Sequence, residues 1–167
     1  MRAAACAAAL AGALAVAACA GPTIDNGIFR APSGYRVTLP RDGWSVDRDS
    51  GADLELRHQS GSAAMLVNGV CDVPAVGRRP DVLVRQLLLG LRDRKVIESG
   101  EVLVNGRTAT HTLMEGRMQK LDERTRIESY VLKGDHCVWD LLYVAEPGAF
   151  DATRGDFRAL VESFVTD

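Results

Sequence analysis

Two cysteines, three histidines, two turn serines and a trio of aspartates are the side chains of this 167-residue chain that could do chemistry. Cys71 or Cys137 would attack as a thiolate, with His58, His111 or His136 as the base. Neither cysteine stands in a C-x-x-C pair or at an evident helix start, the contexts that lower a thiol pKa. The histidines show none of the H-x-H, H-x-x-x-H or H-E-x-x-H spacings that place two rings on one metal. His136 and Cys137 are neighbours, so on a strand they would point to opposite faces. Asp47, Asp49 and Asp53 surround Gly51 like a calcium loop, but glycine falls at position 5 instead of 6 and no glutamate closes position 12. A solvated hairpin turn is expected there. Ser60 and Ser62 flank Gly61 outside any G-x-S-x-G frame and read as turn residues. A glycine-rich phosphate loop is also missing from the sequence. These residues therefore predict no catalytic residue, no cofactor and no metal ligand, and a protein that is not an enzyme.

Outside these residues, the N-terminus reads as an address. Arg2 precedes an uncharged, Ala-rich run to Ala18, followed by Cys19, Ala20, Gly21 and Pro22. A basic start, an apolar stretch and small residues at the exit describe an export signal over residues 1–18. Val16-Ala17-Ala18-Cys19 resembles a bacterial lipobox, in which the cysteine is acylated, palmitate included, and becomes the mature N-terminus. Cleavage to a soluble secreted form and a membrane span are the competing readings, and the weakly lipophilic alanines with Gly12 and Pro22 disfavour the span. The expectation is a membrane anchor through Cys19, with the body of the protein in the periplasm or another extracytoplasmic space. Residues 19–33, rich in glycine and proline and without periodicity, are expected to be the tether. Residues 34–167 then form one domain.

Export changes the cysteine count. Cys6 leaves with the signal and Cys19 is acylated, so Cys71 and Cys137 remain. An even pair outside the cytoplasm points to a disulfide, with two inert buried thiols as the plainer alternative. Net charge is -2, with 25% charged and 5% aromatic residues. Nucleic-acid binding, which needs a basic face against phosphate, is not expected. The one basic concentration is Arg78, Arg79, Arg85, Arg92, Arg94 and Lys95. It could meet anionic lipid headgroups near the anchor, or be a solvated helix face.

The elements follow from periodicity. Alternation over 35–39, 44–47 and 52–57 marks strands of an antiparallel meander, and the apolar run 63–71 a more central strand. Pro80 opens a predicted helix in which Val84, Leu87, Leu88 and Leu91 share one face, ending at Gly100. Asn105-Gly106 signals a hairpin between 101–104 and 107–115. A long polar strand over 117–133 and an apolar strand over 137–145 come next. Phe157, Leu160, Val161 and Phe164 then repeat at helical spacing. Strands and helices segregated in this way predict an α+β fold.

The pattern Tyr35-x-Val37-x-Leu39-Pro40-x-x-Gly43-Trp44, with Tyr143, Phe150, Phe157 and Phe164 near the end, resembles the PsbP-like superfamily, including DcrB-like bacterial lipoproteins. The resemblance covers about residues 35–165. It implies an antiparallel sheet flanked by helices in an α/β/α sandwich, used for binding or assembly and not for a shared chemistry. It transfers no functional residues. The expected function is a non-enzymatic envelope accessory with an unidentified protein partner. An inhibitor or immunity-type lipoprotein capping one protein, or an enzyme with an unrecognised cleft, are the alternatives.

Overall fold

The computed structural model describes residues 21–71, 77–78, 90–119 and 122–166. Thr23–Asp25 (β1), Ile28–Ala31 (β2) and Tyr35–Thr38 (β3) form a small sheet, which Val165–Thr166 (β11) completes in the order β1-β2-β3-β11. Trp44–Asp47 (β4), Leu54–His58 (β5), Ala63–Val70 (β6), Leu91–Val104 (β7), Arg107–Met118 (β8), Arg124–Lys133 (β9) and Val138–Ala145 (β10) build the main sheet. Its order is β4-β5-β6-β10-β9-β8-β7, antiparallel throughout. The helix Phe150–Glu162 (α1) lies on one face of it.

The core forms because two periodicities meet. On α1, Phe150, Phe157, Leu160 and Val161 are buried at helical spacing. On β10, Trp139, Leu141, Tyr143 and Ala145 alternate towards the same face and join that cluster. Val138, Leu142 and Val144 point the other way, into a second cluster with Leu91, Met114, Ile127 and Val131. A strand apolar on both sides belongs in mid-sheet, and β10 sits there between β6 and β9.

Four expectations change. Within residues 19–33, expected to be a tether, lie β1 and β2, and Phe29 and Ala31 are core residues. The strand over 35–39 is β3 of the small sheet, so it is not one meander with β4 and β5. The polar strand expected over 117–133 begins only at Arg124, after a turn in which Asp122 N donates to Met118 O (2.8 Å). Among the described residues α1 is the one helix, where helices were expected to flank the sheet. Much of the helix predicted over 80–100 lies outside the described residues, but from Leu91 onward the chain is strand. The cause is the Asn105-Gly106 turn, whose φ values of 46° and 80° are those of a primed hairpin turn. It sets β7 against β8 from Val104↔Arg107 back to Leu91↔Met118, and this pairing overrides local helical spacing. Residues 1–18, expected to be an export signal, and Cys19 also lie outside the described residues.

Candidate functional site

Cys71 and Cys137 stand one step beyond the Val70↔Val138 pair of β6 and β10. They are joined in a disulfide with S–S 2.06 Å, so neither is a thiol nucleophile. Trp139 Nε1 donates to Ser33 O (3.2 Å) beside this bridge. The same corner holds a polar chain that fastens the small sheet to the large one. Ser33 Oγ and Gly69 N both donate to Asp53 Oδ2, at 2.8 and 2.9 Å. Asp53 N donates to Asn68 Oδ1 (3.1 Å), and Asn68 Nδ2 donates to Asp140 Oδ2 (3.2 Å). Only glycine fits at position 69, since a Cβ there would lie 2.9 Å from Trp139 Cδ1 and collide with Ser33. Burial, with Asp53 nearby, pushes the Asp140 carboxyl up to about 6 despite the Asn68 hydrogen bond.

Asp53 is therefore a structural acceptor, where it was expected in a solvated turn. Asp47 and Asp49 do form a turn: Asp49 N donates to Asp47 Oδ1 (3.0 Å), and Asp47 pairs with Arg57 (2.6 Å). Among the described residues no three His, Cys, Asp or Glu side chains are placed to hold a metal ion.

The histidines separate. His136 is an exposed residue of the β9–β10 turn. His58 Nδ1 lies 2.8 Å from Ser60 Oγ, which lies 2.6 Å from Ser62 Oγ. Ser60 N also donates to His58 Nδ1 (3.3 Å), and Ser62 N donates to Ser60 Oγ (3.3 Å). Every bond in this histidine–serine chain spans two residues, so it knits the β5–β6 turn. Its Nε2 side faces Gly43 closely, and its ring meets Trp44 edge-on at 5.1 Å.

His111 enters a different network, centred on a residue that sequence reasoning missed. Glu128 on β9 is 0% exposed beneath α1. Arg154 holds it with two bonds, Nε to Oε2 at 2.7 Å and Nη2 to Oε1 at 2.9 Å. His111 Nε2 lies 3.0 Å from Oε1, Tyr130 Oη donates to Oε1 (3.3 Å), and Arg158 Nη2 is 3.8 Å away. Burial alone would raise the carboxyl pKa, but hydrogen bonds from His111 and Arg154, with the Arg154 charge, hold it down to about 2. Burial and the Glu128 charge push Tyr130 up to about 12. His111 Nδ1 faces Glu98 at 3.7 Å. The group best placed to be a base is thus an ionised carboxylate saturated by donors, and it locks α1 onto β8 and β9. One signal was available in the sequence: Arg154 lies four residues after Phe150 and three before Phe157, on the apolar face of α1, where a cation calls for a buried acid.

The edge of the sheet is not engaged in this way. Among the described residues β7 pairs only with β8. It carries Val96, Ile97 and Leu103 in exposed positions, Leu103 at 74%. Val96 and Leu103 stand opposite Met114 and Thr108, on the face away from α1. Register shifts between Arg92 and Lys95 and between Val96 and Glu98 interrupt the N-terminal half of β7, while 98–104 is regular.

No protein-family model matches the chain. No curated protein matches it. Solved structures do. The solution structure of CyanoP, the cyanobacterial PsbP of Synechocystis sp. PCC 6803, superposes with TM-score 0.58 at 15% identity, covering 95% of this chain and 99% of that one. LpqN of Mycobacterium tuberculosis, described as involved in cell envelope biogenesis, gives TM-score 0.60 at 12% identity, over 87% of this chain and 90% of that one. PA94 of Pseudomonas aeruginosa gives 0.51 at 12% identity, over 89% and 99%. These likenesses run almost end to end in two of the three partners and agree on one architecture: the chain has the PsbP-like fold.

Proposed function

We propose that this is a non-catalytic binding module of a bacterial envelope, lipid-anchored through Cys19, that holds a protein partner along the outer edge of β7. The observation that carries this reading is the regular half of that edge strand, which among the described residues pairs on one side only, with Leu103 exposed beside it. An open strand edge is a template for an added strand, and apolar side chains next to it supply contact area. The resting state of the titratable groups supports the same reading, because Glu128 and His111 are engaged with each other and with α1. The described envelope role of LpqN fits it as well. The anchor rests on the lipobox alone.

The test is site-specific photocrosslinking in intact envelopes, with the probe at Leu103 and a control probe at exposed Arg41. One discrete protein adduct from position 103, absent from position 41, is the expected result. Equal labelling from both positions, or none, refutes the edge as the binding surface.

A further inference from the structure

The basic residues Arg92, Arg94 and Lys95, read from the sequence as belonging to a helix face, lie instead on the bulged half of β7. There the chain departs from regular strand geometry, with Asp93 at φ 52°. β7 comes close to β8 at this point because residue 116 is glycine: a Cβ on Gly116 would stand 2.5 Å from Leu91 Cγ and 2.7 Å from Arg92 O. Beside this contact is a cavity of about 180 Å³, lined by Lys95, Arg117, Arg124, Asp93, Glu115 and Thr125, with Gly116 and Pro147 completing the wall.

Its charges are unevenly used. Glu115 is taken by Arg126, which donates to Oε1 through Nε (2.9 Å) and Nη2. The hydrogen bonds from Arg126 hold that carboxyl below its usual range, and Arg124 and Lys95 add to the effect. Arg117 Nη1 donates to Asp122 O (3.1 Å) and has only long contacts to carboxylates, 4.0 Å to Asp93 and 3.7 Å to Asp122. Among the described residues Lys95 and Arg124 make no ion-pair contact within 4.0 Å. Three cations therefore converge on a small concavity in which one carboxylate is neutralised and the other sits at the limit of contact. Strand pairing holds them there: Lys95 opposes Glu115, and Arg117 opposes Arg124. Two arginines directly opposite each other repel, and a shared anion relieves that repulsion.

We propose that this cavity is a phosphate-binding site, with Lys95 as a point charge and Arg117 and Arg124 as planar forks on the oxygens. The phosphate group is either free or carried on a lipid headgroup. The site stands independently of the partner reading, which uses the other half of β7.

Amide NMR of the full chain titrated with inorganic phosphate reads the site directly. Saturable shifts centred on Gly116, Thr125 and Lys95 are expected, at least tenfold weaker in affinity in Lys95→Gln/Arg124→Gln and unchanged in Arg41→Gln. Both substituted side chains are exposed, and circular dichroism confirms that the variant is folded. Vesicle co-sedimentation separates the sources. Retention on phosphatidylglycerol over phosphatidylcholine, lost in the double variant, assigns a headgroup. Phosphate shifts without that preference assign the free anion. Absence of both responses, or responses equal in the double variant, overturns the site.

Discussion

Replacing Glu128 with glutamine removes the one negative charge that Arg154 and His111 share under α1. Breaking a buried pair from one side leaves the other charge unsatisfied, and a loss of about 3 kcal/mol is expected in urea denaturation at pH 7. The sign of the pH dependence follows from the carboxyl being held at about 2 against 4.5 for an ordinary glutamate. The stability it contributes is present above pH 4.5 and is lost as pH falls towards 2, so Glu128→Gln flattens that limb. Asp140 has the opposite sign, because its folded value of about 6 lies above the ordinary 3.8. The folded state holds the proton longer, so stability declines as pH rises from about 4 through 6. Asp140→Asn retains an acceptor for Asn68 and removes the decline. It should gain up to about 2–3 kcal/mol at pH 7, measured as a rise in denaturation midpoint; unchanged stability there would sink the idea. Glu128 was legible only through Arg154 on the apolar face of α1, and Asp140 was not legible, because a lone acid in a strand reads as solvent-facing.

At the level of elements, the legible features were those set by local chemistry. Asn105-Gly106 dictates its turn through positive φ, and the Phe157–Phe164 periodicity dictates α1. The strand Leu91–Val104 was illegible, since Leu91 continues an apolar helical spacing and the residues after it are polar. Its conformation is decided by β8, a partner that sequence spacing does not weigh. Gly116 is what that pairing requires, where Leu91 and the Arg92 carbonyl press on the strand. Gly116→Ala should therefore destabilise by about 2 kcal/mol through overpacking. Loss of amide protection over 91–96, with protection at 98–104 retained, is the accompanying hydrogen-exchange result.

For the whole molecule, the disulfide and the small sheet matter most. The bridge joins positions 66 apart, at one end of the two central strands. Removing it as Cys71→Ser/Cys137→Ser restores loop entropy to the unfolded chain and should cost about 4 kcal/mol in the chain-entropy model. A thermal melt unchanged by reductant would contradict this. The pairing of Cys71 with Cys137 was legible, because both sit at the ends of apolar strands in a chain whose start reads as an export signal. The small sheet was not. Glycines and prolines around 21–34 disguised β1 and β2, each of which is too short to show alternation, and Phe29 alone hinted at burial.

Those two strands also give the molecule a mechanical character. β1 has three exposed residues and, among the described residues, pairs with β2 alone, in the register Thr23↔Arg30, Ile24↔Phe29 and Asp25↔Ile28. Tension entering from the N-terminal side meets the open end of this hairpin first. The three pairs then separate in succession, and five residues release roughly 17 Å of chain at about 3.5 Å each. Phe29, packed in the core, stops the peeling. A pull on the N-terminus is thus absorbed as slack before it can strain the disulfide-tied centre of the sheet.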